Sequence, residues 1–580
     1  MNRSRAVAVL VAVLTFSFGG CGESPTLVVS GTVVGHDGAP MPLAHVHLLR
    51  PLDWDLGKQP LASAQASADG SFEIATAETG LLILTSTGVD HRYHRVPVIV
   101  EEQAEGPVAL SIDVRLATLD YHVDVSGVRV IGDFNEFGVA SGRPMEARAD
   151  GTYTLDIEVD ADTLAYQLVD IARVGRRASG TQSDAFAYGG WGGAYRSVVG
   201  VQDGSVTITF DPTKLAYSPE PPQVTFSDPS SSRARFASLE LEMTERYEAF
   251  YRAFETARET DEELEYDWSG DVAHLAQRLE SERDPFIREV LSYQLLHLGC
   301  NGAEIDSELV SQALVELPPT SYCWSLDPYF LACIVETAFP TQEDEAASAP
   351  KAEETWPVWV EKAVDYVEEG IIGHPDSVVR ASMLASVVIV ANNEGLPDLG
   401  AEYYGRLTEE YPESWATRMA REYAPQRNIQ VGKPIPEFSL TSLDDTTIVY
   451  ARDSLLGTVY LIDFWATWCI PCVAEMPSLH RVHREFGPRG FEILSISMDD
   501  DLEEVIAYRN GEWEMPWYNV FAGPEFEAEM LAPFELVQIP KAILVDAEGM
   551  IVGLDAEAHG EGLRQILAQL LTDLPAEGTD

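Results

Sequence analysis

Two thiols stand three positions apart at Cys469 and Cys472, with Ile470 and Pro471 between them. Thiols so spaced can exchange with a disulfide or hold a metal, and the flanking sequence separates the two uses. Val459 to Trp465 is a near-continuous apolar run, the pattern of a strand buried in the middle of a sheet. From Val473 onward the pattern is helical. A strand, then the cysteine pair, then a helix puts Cys469 at a helix N-terminus. Unpaired backbone N–H groups and the helix dipole stabilise a thiolate there, and cysteine pKa values fall from about 8.5 toward about 3.5–7.5. Cys472, one helical turn on, is close enough to close a disulfide. Zinc fits poorly: His480 and His483 lie two or more turns down the same predicted helix and cannot fold back to complete a tetrahedron. Asp463 interrupts the apolar strand, and a carboxylate placed there demands a reason. Burial raises its pKa and lets it accept a proton from a neighbouring thiol.

The elements that must position these groups alternate between strand and helix from Val431 to the C-terminus. Trp465-Ala466-Thr467-Trp468-Cys469 through Cys472, with Glu475 and Pro477, resembles the periplasmic thioredoxin-like family of membrane-tethered reductases used in cytochrome c maturation. Gly432-Lys433-Pro434-Ile435-Pro436-Glu437-Phe438 is similar to that family's opening strand. Val537 through Asp546 is similar to its cis-proline strand, and Asp546-Ala547-Glu548-Gly549 to its hairpin turn. The resemblance implies a thioredoxin fold over residues 430–575. Cys469 is then the exposed nucleophile and Cys472 the resolving thiol. Asp463 takes the place of the buried aspartate of thioredoxin proper, where many of these relatives carry asparagine, and Glu475 matches a glutamate they keep near the pair. Pro540 is predicted cis, setting the Ile539 backbone against substrate like an added strand. Trp468, Ile539 and Pro540 are the expected substrate contacts, and Pro477 is expected to kink the helix. Peroxiredoxins share the fold, but their Pro-x-x-x-Thr-x-x-Cys is missing. The expected activity is a thiol–disulfide oxidoreductase, in the reductase direction, acting on disulfide-containing proteins and kept reduced by a membrane electron donor. No metal or cofactor is called for. A surface adaptor that keeps the fold only for binding is the alternative of another class, and a thiol peroxidase is a further one.

The remainder of the 580 residues reads as several domains. Arg3, Arg5, the apolar run Ala6 to Phe18 and the small pair Gly19-Gly20 before Cys21 form an export signal over residues 1–21. The run is shorter than the roughly 20 residues of a membrane span. It resembles the lipobox of bacterial lipoproteins, with Phe18 in place of the usual Leu, which implies lipidation of Cys21, a lipid anchor and residence in the cell envelope. Residues 27–116 alternate apolar and polar positions between turn signals, as a small β-sandwich does. Ser30-Gly31-Thr32-Val33, Gly38-Ala39-Pro40 and Ala68-Asp69-Gly70-Ser71-Phe72 resemble the carboxypeptidase-regulatory, transthyretin-like domain. Residues 117–217 form a second β-rich stretch. Val128 through Asn135 and Asp150-Gly151-Thr152-Tyr153 resemble the early-set sandwich of the glycogen-binding type, with Glu136-Phe137 where that type has a sugar-stacking tryptophan. A Pro- and Ser-rich linker is expected at 218–232, and a helical region at 233–425, without a fixed repeat period and with an acidic loop at 340–354. His45 and His47 share one strand face with His91 and His94 nearby; metal binding is one reading, and scattered surface histidines are the commoner case. Of Cys300, Cys323 and Cys333, two could pair in an oxidising compartment, and spacing does not choose which. The 94 acidic against 38 basic side chains give a formal charge of −56, which repels nucleic acid.

Overall fold

The computed structural model describes residues 26–571 except 52–58, 101–106, 120–126, 136, 139–140, 172–184, 191–194, 216–217, 219, 261–265, 329–330, 340–357, 425–426, 500, 512 and 524–531. The signal segment with Cys21 and the acidic loop at 340–354 lie outside the described residues. Several β-sheets come first, helices follow, and an α/β unit closes the chain.

The first two sheets have four strands each. Their inward residues, among them Leu27, Val29, Val46, Leu82, Val98 and Val114, are buried in one shared core. One edge strand is Gln223–Phe226, which pairs antiparallel with Val108–Arg115. It falls inside the stretch expected to be linker: between the prolines, Phe226 turns inward to join that core while Gln223 and Thr225 face out. The next two sheets, of three and five strands, enclose Val128, Val130, Ile157, Leu164, Tyr166 and Phe210. His47 and His94 are buried, not scattered on the surface. His47 bonds to Ser63 Oγ at 2.8 Å and to Tyr188 Oη at 2.9 Å, and His45 stacks on Tyr188 with ring centroids 3.9 Å apart. Among the described residues no cluster of three or more His, Cys, Asp or Glu could hold a metal ion.

The helices run from Ser232–Thr260 through Trp415–Ala420. Aspartate starts several of them: Asp284, Asp306 and Asp376 each accept the N–H of the second helical residue, satisfying a donor the helix leaves unpaired. Cys300 pairs with Cys333, Cα atoms 5.8 Å apart, where the Pro285–Cys300 and Leu331–Ala338 helices pack together; Cys323 is buried and unpaired with another cysteine. None of the described helices is long and apolar enough to cross a membrane.

The closing unit is a five-stranded sheet in the order Tyr518–Phe521, Phe491–Ser497, Val459–Trp465, Lys541–Val545, Ile551–Leu554. The first three are mutually parallel, and the last two run antiparallel to their neighbours. Every residue of the central strand Val459–Trp465 is buried, because helices cover one face and the segments with Ile435, Phe438, Leu440, Tyr450 and Phe534 cover the other. One face packs with the Ile470–Phe486 and Gly560–Leu570 helices around Leu461, Trp465, Met476, Leu479 and Leu563. The hairpin after Lys541–Val545 turns on Gly549 at φ +82, with the Asp546 side chain accepting the Glu548 and Met550 N–H groups.

Candidate redox site

The central strand ends at Trp465, and a short turn leads into the Ile470–Phe486 helix, with Cys469 as its N-cap. Cys469 has extended backbone (φ −82, ψ 96), and its Sγ accepts the Cys472 N–H at 3.3 Å. Its sulfur therefore receives a helix donor that would otherwise be orphaned. Cys469 and Cys472 form a disulfide with Cα atoms 5.3 Å apart. Pro471 fits in the first turn, where its missing N–H costs nothing. Pro477 lies inside the same helix.

Burial differs from expectation at one position. Cys469, expected to be exposed, is 5% exposed and Cys472 2%, while Trp468 is 61% exposed. Bonded to each other and tucked under the helix start, the two sulfurs face the core cluster that contains Trp465, Ala466 and Met476. The indole of Trp468, next to the pair, is an exposed apolar surface.

Asp463 is 4% exposed. The parallel register sets it opposite Ser495, whose hydroxyl donates to Asp463 Oδ2 at 3.0 Å. Trp517 Nε1 donates in turn to Ser495 Oγ at 2.9 Å. Burial pushes the Asp463 carboxyl up to about 7; the Ser495 hydrogen bond opposes this, and the Glu475 charge adds to it. Glu475 is half-buried, with Oε2 3.7 Å from His559 Nδ1.

Sequence reading missed three residues here: Ser495, Trp517 and Asp499. Asp499 is 1% exposed and ties down the turn before Cys469. It accepts the Thr467 N–H at 3.0 Å, the Thr467 hydroxyl at 2.6 Å and the Ser497 hydroxyl at 2.7 Å. An acidic residue just past the end of a strand was the available signal, but it stands in the run Asp499-Asp500-Asp501 of a strongly acidic chain.

The Ile539–Pro540 peptide bond is cis. Ile539 is half-buried and packs against the cluster that holds both cysteines. His480 and His483, set aside as zinc ligands, lie against Trp513 and Trp517 instead, and His483 meets Glu492 at 3.2 Å.

Residues 457–551 match a thioredoxin-like family. The thiol:disulfide interchange protein DsbE of Allochromatium vinosum is 34% identical over 146 residues, covering 24% of this chain and 76% of that protein. The thiol-disulfide oxidoreductase ResA of Bacillus cereus is 24% identical over 151 residues, 26% of this chain and 81% of that protein. A solution structure of a thiol:disulfide interchange protein from Bacteroides sp. is 26% identical, covers 25% of this chain and 92% of that chain, and has a TM-score of 0.23. Through its C-terminal domain, then, the chain belongs to the thioredoxin-like family of thiol–disulfide oxidoreductases.

Proposed function

We propose that this oxidoreductase is exported and reduces disulfides of other proteins with the Cys469/Cys472 pair, behind two N-terminal β-sandwich modules (27–116 and 117–217) and a helical region (233–425). The reading is carried by one observation: a disulfide at a helix N-cap with a buried, hydrogen-bonded carboxyl on the strand that leads into it.

In the reduced enzyme the Cys469 thiolate attacks one sulfur of the substrate disulfide. A Cys469–substrate disulfide forms and the other substrate sulfur leaves as a thiolate. Cys472 gives its proton to Asp463, attacks Cys469 Sγ and expels the second substrate thiolate. Two electrons pass to the substrate, whose thiolates take up two protons, and the enzyme is left as the Cys469–Cys472 disulfide. Glu475, half-buried beside Asp463 in charge range, offers the proton an exit toward water. Trp468, Ile539 and Pro540 form the substrate platform, where an extended chain pairs with the backbone before Pro540. A membrane dithiol donor returns two electrons and two protons. Cys21 is the lipid attachment point that keeps the protein in the cell envelope.

Insulin reduction tests the reading. Wild type is expected to reduce insulin, Cys469→Ser to be inactive, and Cys472→Ser to accumulate mixed disulfides on Cys469. A wild type without activity leaves a binding adaptor, and equal activity in Cys469→Ser overturns the assignment of the nucleophile. A potential of about −200 mV or lower supports a reductase, and one near about −120 mV reverses the direction.

A further inference from the structure

The segment that joins the helical region to the redox domain grips the loop that ends in Pro540. Lys541 follows Pro540 and sits in register with Phe464, next to Asp463. Its ammonium is 7% exposed, lies 2.8 Å from Asp555 Oδ2 and forms a longer ion pair, 3.8 Å, with Glu422 Oε1. Glu422 belongs to the 3₁₀ turn Arg421–Tyr423 that ends the helical region, and its side chain is 9% exposed. The nearby Val537 backbone N–H favours the charged form of the same carboxylate. Beyond that turn, Asn428 donates its N–H and Nδ2 to the Glu535 carboxylate at 2.9 Å each, and the Ile429 N–H joins them at 3.2 Å. Arg427, between them, reaches back to Asn392 Oδ1 at 2.7 Å, at the end of the Ser377–Asn393 helix.

Glu422, Asn428 and Ile429 thus hold Lys541 and Glu535, two points that bracket Ile539 and Pro540. Two partners in this grip have left-handed backbone, Glu535 at φ 52 and Asp555 at φ 47. Side-chain-bearing residues adopt that conformation uncommonly, and it persists where the surroundings over-determine it. The Glu422 carboxylate, buried among few charges, gains from the Lys541 ammonium, while Lys541 is shared between Glu422 and the nearer Asp555.

We infer that Glu422 is a positioning residue for the redox site. Through Lys541 it fixes the end of the loop that presents Ile539 and Pro540, so the helical region sets how well a polypeptide disulfide is received. This rests on the proposed role of Ile539 and Pro540 in substrate binding. A small disulfide, needing no strand-like pairing, should not feel the grip.

The test uses the full chain with Glu422→Gln, Lys541→Met and the double variant, each against wild type. For Glu422→Gln, kcat/KM for insulin should fall about fivefold, mostly through KM, since Lys541 loses its tie to the helical region but keeps Asp555. Reduction of 5,5′-dithiobis(2-nitrobenzoate) and alkylation of reduced Cys469 should stay within about twofold of wild type. The double variant should lose no more than the larger of the two single losses, because both side chains act through one contact. Hydrogen exchange gives a readout independent of activity: the 535–541 amides should exchange faster in Glu422→Gln. Equal loss on both substrates, no loss on insulin, or unchanged exchange at 535–541 overturns the inference. A wild type that reduces no insulin while exchange at 535–541 still responds would sink the proposed function and leave the grip standing.

Discussion

Replacing Asp463 by Asn should change how the stability of the redox domain depends on pH, with a sign and size set by where the carboxyl sits. Its usual value is 3.8, and burial between the central strand and Ser495 raises it to about 7. In the unfolded chain the carboxyl ionises through the ordinary range; in the folded protein it keeps its proton until near neutrality. Between those values unfolding releases a proton, so stability falls as pH rises. The contribution is fully present below 3.8 and is lost as pH climbs through about 7. At about 1.4 kcal/mol per pH unit, and with the slope flattening above 7, the loss between pH 5 and pH 8 comes to about 2–3 kcal/mol. Asparagine cannot ionise but can still accept the Ser495 hydroxyl through Oδ1. The variant's stability relative to wild type should therefore improve by about 2–3 kcal/mol from pH 5 to pH 8, whatever its absolute level. Hydrogen exchange of the slowest amides in Val459–Trp465 and Phe491–Ser497 reads this domain inside the full oxidised chain. Parallel pH profiles for wild type and variant would refute the placement of a proton on Asp463 near neutral pH.

Asp499→Ala should destabilise the redox domain by about 3 kcal/mol, because three donors lose one charged acceptor and such bonds contribute about 1.5–3 kcal/mol each before relaxation. Faster exchange at the Thr467 and Cys469 amides would accompany it, and an unchanged denaturation profile would contradict it. Burial lowers His47 to about 4, so its share of stability is present above its unfolded value of 6.5 and is lost as pH falls through about 4. Strands Ala62–Gln65 and Ala185–Tyr188, whose Ser63 and Tyr188 hold its ring, should lose exchange protection on acidification in wild type. In His47→Gln that part of the acid response should be gone, and identical acid profiles would count against it.

The dithiol, Asp463, Pro540 and the strand–helix frame around them were legible because each signal is local. Cys469 and Cys472 lie one helical turn apart, and a carboxylate inside an apolar strand is visible without knowing the fold. Ser495 and Trp517 were not legible, because their role exists only through register. A slip of one residue between the two parallel strands would put Leu494 or Ile496 beside Asp463, and nothing within either strand forbids it. The Cys300–Cys333 pairing stayed open for the same reason: it depends on which helices lie side by side. The exposure of Cys469 was misjudged because helix position reports electrostatics and not cover. Gln223–Phe226 looked like linker because prolines surround it, yet four alternating residues sufficed for an edge strand. The grip on Glu535 and Lys541 joins segments far apart in sequence, and a lysine after a proline looks like surface until Glu422 and Asp555 are seen against it.

Three carboxyl groups lie in and around the disulfide turn, and their surroundings give them different work. Asp499 is saturated with donors from Thr467 and Ser497 and serves as an anchor for the backbone. Asp463 has one donor and almost no water, which favours its neutral form. Glu475 is half-buried and close enough that its charge further disfavours ionisation of Asp463. In the proposed cycle the proton affinity of Asp463 matters at one moment, when Cys472 must give up a proton within a water-poor cluster. Near neutral pH Asp463 has an ionised fraction that can accept that proton, and Glu475 is the neighbouring carboxyl partly open to water. Were Asp463 solvated, it would ionise through the ordinary carboxylate range and be a weaker base for a thiol. The burial that costs the fold stability at high pH is the same burial that gives the carboxyl its proton affinity.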